Sequence, residues 1–108
     1  FKADEQADMS AQGVAIKLIG HSVAERNISM LSVTYPPGAD TGEDMIKYDG
    51  EEAGIVVQGE IELTVDQQVY QLVTGDGYFF HTHLPHRFRN LGDVTAKVVS
   101  ANNGNVSH

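Results

Sequence analysis

Two segments of this 108-residue chain hold most of the side chains able to do chemistry. The first runs from Gly38 to Gly59 and carries Glu43, Tyr48 and the acidic pair Glu51-Glu52. The second runs from Gly75 to Asn90 and carries His81, His83 and His86 among aromatic residues that include Phe80 and Phe88. A pair of acids beside Gly50 reads on its own as a solvated turn. If one of them is buried, its carboxylate needs an imidazole, a metal or a cationic ligand as a partner. On an extended segment His81-Thr82-His83 points both rings to one face. With His86 it spells His-x-His-x-x-His, a candidate zinc or iron site. The same three histidines read alternatively as loop and pocket-rim residues, since Pro85 argues against a regular strand. No Ser/His/Asp set, phosphate-binding Gly-Lys loop or dinucleotide glycine fingerprint occurs at usable spacing.

The elements that must position these groups are short strands. Val14, Ile16 and Leu18 alternate with Ala15 and Lys17. Ile28, Met30 and Ser32 face one way while Leu31, Val33 and Tyr35 face the other, until Pro36-Pro37-Gly38 turns the chain. Tyr48 to Val57 leads to Gly59, and Ile61, Leu63 and Val65 then alternate with Glu60, Glu62 and Thr64. Asp66-Gln67-Gln68 reads as a hairpin connection to Val69–Val73, and Gly75-Asp76-Gly77 as a turn. Tyr78–His81, Arg87–Asn90 and Thr95–Ala101 complete a set of about eight to ten strands, which implies an all-β sandwich or barrel. Residues 1–12 read as a linker or lead-in, 13–101 as one domain and 102–108 as a loose tail. Phe80 and Phe88 are expected in the core or pocket wall, Met30 and Met45 as gap fillers, and Asn90 as a structural turn residue.

Composition narrows the function. The net charge is −8 and Arg87 and Arg89 stand apart from any basic cluster, so a DNA-binding face is not expected on these residues. The acidic balance suits a cationic or mixed-charge small ligand, and it also serves solubility. The absence of cysteine removes disulfides, thiolate metal sites and a Cys nucleophile, in keeping with a cytoplasmic protein. No apolar run reaches the roughly 20 residues of a membrane span, and no secretory leader is visible. The chain begins with Phe1, which reads as a fragment or processed form.

Glu52 and Gly59, separated by six residues, with Gly59-Glu60-Ile61 leading into the next strand, and later Gly75, His86 and Asn90, resemble the two motifs of the cupin superfamily. The resemblance spans roughly Ser29 to Ala101. It implies a small antiparallel β-barrel or jelly roll, the double-stranded β-helix. It also turns Glu52 and His86 into the interior and Glu51 outward. The superfamily's metal site uses a His-x-His step, a Glu and a second-motif His. Here that step falls on Ile46, which cannot ligate, and Tyr48, which ligates only when ionised. Metal candidates are therefore Glu52, His86, Tyr48, His81 and His83, with no metal required. Gln12-Gly13-Val14, Thr41-Gly42-Glu43, Gly50-Glu51-Glu52-Ala53-Gly54 and Pro85-His86-Arg87-Phe88-Arg89-Asn90 look further like the C-terminal domain of XRE-type helix-turn-helix/cupin transcription regulators. That resemblance implies a homodimeric sensor of a small effector, a polyamine or amino-acid-like compound. It implies DNA contact only through a domain absent from this chain, and no membrane. The effector-binding set is then Glu43, Tyr48, Glu52, Phe80, His86 and Phe88. A stand-alone metal-dependent cupin enzyme (dioxygenase, isomerase or lyase) is the alternative, and a dimerisation module with a vestigial pocket a third.

Overall fold

Alternation of apolar and polar residues dictates strands whose two faces differ, and such strands must stack to hide one face. The computed structural model describes residues 7–8, 14–18, 28–41 and 50–103. Among these lie β1 (Ala7–Asp8), β2 (Ala15–Leu18), β3 (Ser29–Tyr35), β4 (Glu51–Gln58), β5 (Glu60–Val65), β6 (Gln68–Val73), β7 (Gly77–His81), β8 (His86–Arg89) and β9 (Ala96–Asn102). They form a six-stranded sheet in the order β1-β2-β3-β9-β4-β7 and a three-stranded sheet in the order β6-β5-β8. Every pairing is antiparallel. The result is the all-β jelly roll expected from the sequence.

The inner faces carry Val33 and Tyr35 from β3, Val56 from β4, Ile61 and Leu63 from β5, Phe80 from β7, Phe88 from β8, and Ala96 and Val98 from β9, all buried. The short β5–β6 turn works because Asp66 adopts a left-handed φ of 57°, a conformation Asp tolerates better than most residues. It is tighter than the sequence suggests, since Gln68 already pairs with Val65.

Three expectations need correction. Part of the 1–12 lead-in belongs to the sheet, because Ala7 and Asp8 pair with Leu18 and Lys17. Asn102 is not tail: it ends β9, opposite Ser29 and Glu52, and is only 5% exposed. Met30 fills no core gap. It lies on the outer face of β3 with 42% exposure, as the alternation with Val33 requires.

Residues 38–41 run beside β8 and close that edge of the small sheet. Gly38 N donates to Asn90 O, Asn90 N to Ala39 O, and Thr41 N to Phe88 O. Phe88 N in turn donates to Thr41 Oγ1 at 3.0 Å. On the outer side, Arg87 Nε donates to Asp40 Oδ1 at 2.8 Å, and Arg89 Nε to Glu62 Oε1 at 2.8 Å. Both basic residues of β8 are thus held in ion pairs.

Asn90, 1% exposed, is the structural residue its motif position suggested. Its Nδ2 donates to Tyr35 O and Val94 O, both at 2.8 Å, and its Oδ1 accepts from Gly92 N at 3.0 Å. One side chain therefore ties the end of β3 to the β8–β9 loop. Asn90→Ala leaves one buried and two part-buried backbone groups without this partner and is expected to cost about 1–3 kcal/mol of stability. Urea unfolding checks this as a lowered midpoint with an unchanged slope.

Candidate functional site

The register of the large sheet lays its inner face out in rows. One row, at the end of the sandwich, reads Ser29, Asn102, Glu52, Phe80 across β3, β9, β4 and β7. The next reads Leu31, Ser100, Gly54, Tyr78, and beyond it come Val33, Val98 and Val56. Polarity is thus concentrated at one end and the apolar core lies behind it.

Glu52 is 8% exposed, whereas its neighbours Glu51 and Ala53 face outward. Its Oε2 accepts a hydrogen bond of 2.7 Å from the Tyr78 hydroxyl. That phenol lies across Gly54. A β-carbon on Gly54 would come within 2.4 Å of both Cζ and the hydroxyl oxygen of Tyr78, so only glycine leaves room for the ring. The ring is fixed further by Phe80, stacked at 5.8 Å between centroids, and by Phe88, edge-on at 5.5 Å. Burial, the adjacent Glu52 charge and the hydrogen bond to it push the Tyr78 phenol far above its ordinary range, only partly offset by a hydrogen bond from Ser100. Tyr35 is raised by burial and then by the Glu52 charge. Both phenols are neutral, so Tyr78 is a constant proton donor to the carboxylate.

His86, 4% exposed, sits on the inner face of β8 with its ring 4.7 Å from that of Phe80, the cross-strand partner of Glu52. Glu52 and His86 are thus both buried, and Phe80 is the cross-strand partner of the first and packs against the ring of the second. Burial lowers the His86 pKa from 6.5, and the backbone hydrogen bond to Leu84 opposes this in part. His86 Nδ1 lies 2.9 Å from the Leu84 carbonyl oxygen, which can only accept. Nδ1 thus carries the proton, and the neutral ring presents Nε2 as an acceptor.

His81 and His83 do share a face, with rings 6.0 Å apart, but it is the outer one and both are exposed. The chain turns before β8 and sends His86 inward, so the three-histidine cluster does not assemble. Among the described residues no three His, Asp or Glu side chains converge to hold an ion. By sequence position, Ile46 stands where the cupin resemblance expects the first histidine of the His-x-His step, and an isoleucine cannot ligate. Glu43, Tyr48 and Met45 lie outside the described residues. Phe80 and Phe88, each 6% exposed, form the apolar wall.

The sequence reading missed Tyr78 and Asn102. Asn102 Oδ1 is buried and has no hydrogen-bond partner among the described residues. An apolar cleft of about 260 Å³, lined by Leu63, Val65, Tyr70, Leu72, Tyr78 and Phe80, opens where β6 and β7 part.

Residues 31–102 match Cupin_2, the cupin domain family. The chain belongs to this family. The cupin domain is 42% identical over 98 residues to the HTH-type transcriptional regulator PuuR of Escherichia coli, covering 91% of this chain and 52% of that protein. It thus spans about half the length of that relative. Among solved structures, it resembles the Cupin_2 domain of an XRE family transcriptional regulator from Enterobacter cloacae, with a TM-score of 0.74, 22% identity, and coverage of 85% of this chain and 97% of that one. An oxalate oxidase in complex with glycolate shares the fold at a TM-score of 0.72 and 23% identity, over 89% of this chain and 53% of that one.

Gly54→Ala drives a methyl into the Tyr78 ring and is expected to destabilise the cupin domain by about 1–3 kcal/mol. Urea unfolding of Gly54→Ala in wild-type and Tyr78→Leu backgrounds checks this, and removal of the ring should lessen the penalty. His86 is held neutral, with a folded pKa below the unfolded 6.5. Its contribution is therefore complete above pH 6.5 and is lost as pH falls through the lower folded value. His86→Asn, whose amide can still donate to Leu84 O, should flatten the fall in unfolding midpoint between about pH 7.5 and pH 5.5 relative to wild type.

Proposed function

We propose that this cupin domain is the effector-binding domain of a bacterial transcription regulator, and that its effector is a small organic cation of the polyamine or amino-acid-like class. The observation that carries this reading is the Glu52 carboxylate, buried inside the sandwich and oriented by the Tyr78 phenol. A carboxylate withdrawn from water, with a neutral imidazole and aromatic walls beside it, favours ligands that bring positive charge and hydrocarbon together. Each charge-assisted hydrogen bond to it contributes about 1.5–3 kcal/mol. Phe80, Phe88 and Tyr78 supply apolar surface for methylenes, and His86 adds a neutral imidazole beside them. Glu43 and Tyr48 stay in the proposed set on their sequence positions. The likeness to PuuR over nearly the whole chain supports the regulatory role and weighs against an enzyme.

In this reading DNA contact belongs to a separate segment, since a domain of net charge −8 repels a polyanion. The regulator acts in the cytoplasm, requires no metal and works as a homodimer. The exposed apolar residues Met30, Ile55, Val57 and Phe79 on the outer face of the large sheet are suited to covering by a second copy. The effector regulates by binding one arrangement of the paired subunits more tightly than another.

A thermal-shift and calorimetric screen of diamines, amino acids and dicarboxylates tests the proposal. Diamines or cationic amino acids should stabilise the domain and dicarboxylates should not. Glu52→Gln should weaken the best cation by about tenfold to a hundredfold. Stabilisation by dicarboxylates alone, or a Glu52→Gln variant that binds the cation as wild type does, would falsify it.

A further inference from the structure

The unpartnered acceptor on Asn102 points to a specificity device beside Glu52. Asn102 and Glu52 are direct partners across the β9–β4 ladder, and both side chains lie on the inner face. Directly opposed side chains leave the sheet with β-carbons about 4.5–5.5 Å apart. Asn102 is 5% exposed, and its Oδ1 is buried without a donor among the described residues. A buried carbonyl oxygen left without a donor destabilises a fold by about 1–3 kcal/mol, so such groups are rare and ask for an explanation. Strand fraying does not supply one, because the backbone continues past it. Asn103 N donates to Glu51 O, and Asn103 Oδ1 accepts from Glu51 N at 2.9 Å.

We propose that Asn102 Oδ1 and the Glu52 carboxylate together receive a single primary ammonium group, and that Asn102 selects primary amines over N-alkylated cations. The inference rests on the reading of Glu52 as the cation site. An R–NH3+ group has three N–H donors and can give one to each of two acceptors spaced across adjacent strands. A trimethylammonium group has the same charge and no N–H. It brings the same charge to Glu52 but leaves the Asn102 carbonyl orphaned and covered. Asn102 is thus the element that distinguishes hydrogen-bonding capacity from charge.

The test uses the 108-residue chain with two probes of equal charge and equal alkyl length, n-butylamine and butyltrimethylammonium, measured by calorimetry. Wild type should prefer butylamine. Asn102→Ala should lower that preference about fivefold to tenfold, and Asn102→Asp, which keeps an acceptor, should retain it. The readout is a ratio between two ligands on one protein, which a merely structural role for Asn102 would not move. A measurement free of substitutions accompanies it. The side-chain amide resonances of Asn102 should shift on adding butylamine and stay in place with butyltrimethylammonium. An unchanged ratio in Asn102→Ala, or an Asn102 amide indifferent to butylamine, overturns this inference while leaving Glu52 as a cation site. If wild type binds neither probe, this inference is overturned, and the diamine and amino-acid screen decides the reading of Glu52 separately.

Discussion

A carboxylate withdrawn from water loses several kcal/mol of hydration and must recover it from groups built around it. Glu52 sets that demand here, and the surrounding sequence answers it. Tyr78 brings a donor from the neighbouring strand, Gly54 gives up its side chain so that the phenol can lie across it, and Ser100 adds a hydrogen bond to the phenol. Each of these residues has an unremarkable type for a strand. Their roles come from sharing one row of the inner face, which the antiparallel register enforces. A one-residue slip of β7 against β4 would turn Tyr78 outward and leave Glu52 without this donor.

The same layout explains how one end of the sandwich can be a binding site while the rest is a core. Behind the polar row the inner face becomes Val33, Val56 and Val98, with Ile61 and Leu63 facing them from the small sheet. Asn90 clamps the end of β3 to the β8–β9 loop by hydrogen bonds that are internal to the protein. The polar end departs from that completeness at Asn102, and the departure stands next to the buried acid. A shared fold does not by itself assign chemistry, as the likeness to an oxalate oxidase illustrates. In this chain isoleucine stands at a position where the resemblance expects histidine, and a phenol donates to the glutamate.

Much of the fold was legible because period-two alternation survives in β3 and β5, and because Gly, Pro and Asp punctuate the chain. Glu52 and His86 were legible from their motif positions, since spacing to Gly59 and Asn90 fixed their phase. Tyr78 was not, because it opens the run Tyr78-Phe79-Phe80, in which three aromatic residues in succession hide the alternation. Only the pairing with β4 reveals that the first and third face inward. His81 and His83 were placed correctly relative to each other but not relative to His86, because the intervening turn resets the phase between strands. Asn102 looked like tail since an amide at a chain's polar end carries no local signal of burial. Its burial is imposed by partners far away in sequence, Ser29 and Glu52.

β6 pairs on one side only among the described residues and is composed of Gln, Val, Tyr, Gln, Leu and Val, with Val69, Tyr70 and Val73 exposed. It has no lysine, proline or inward charge of the kind that usually keeps an edge strand from joining another. Among the described residues the strand thus offers unpaired backbone groups for intermolecular pairing, and mutual repulsion between strongly acidic molecules opposes pairing along it. Acidic side chains elsewhere in the sequence oppose what this edge invites, and neutralising them weakens that opposition.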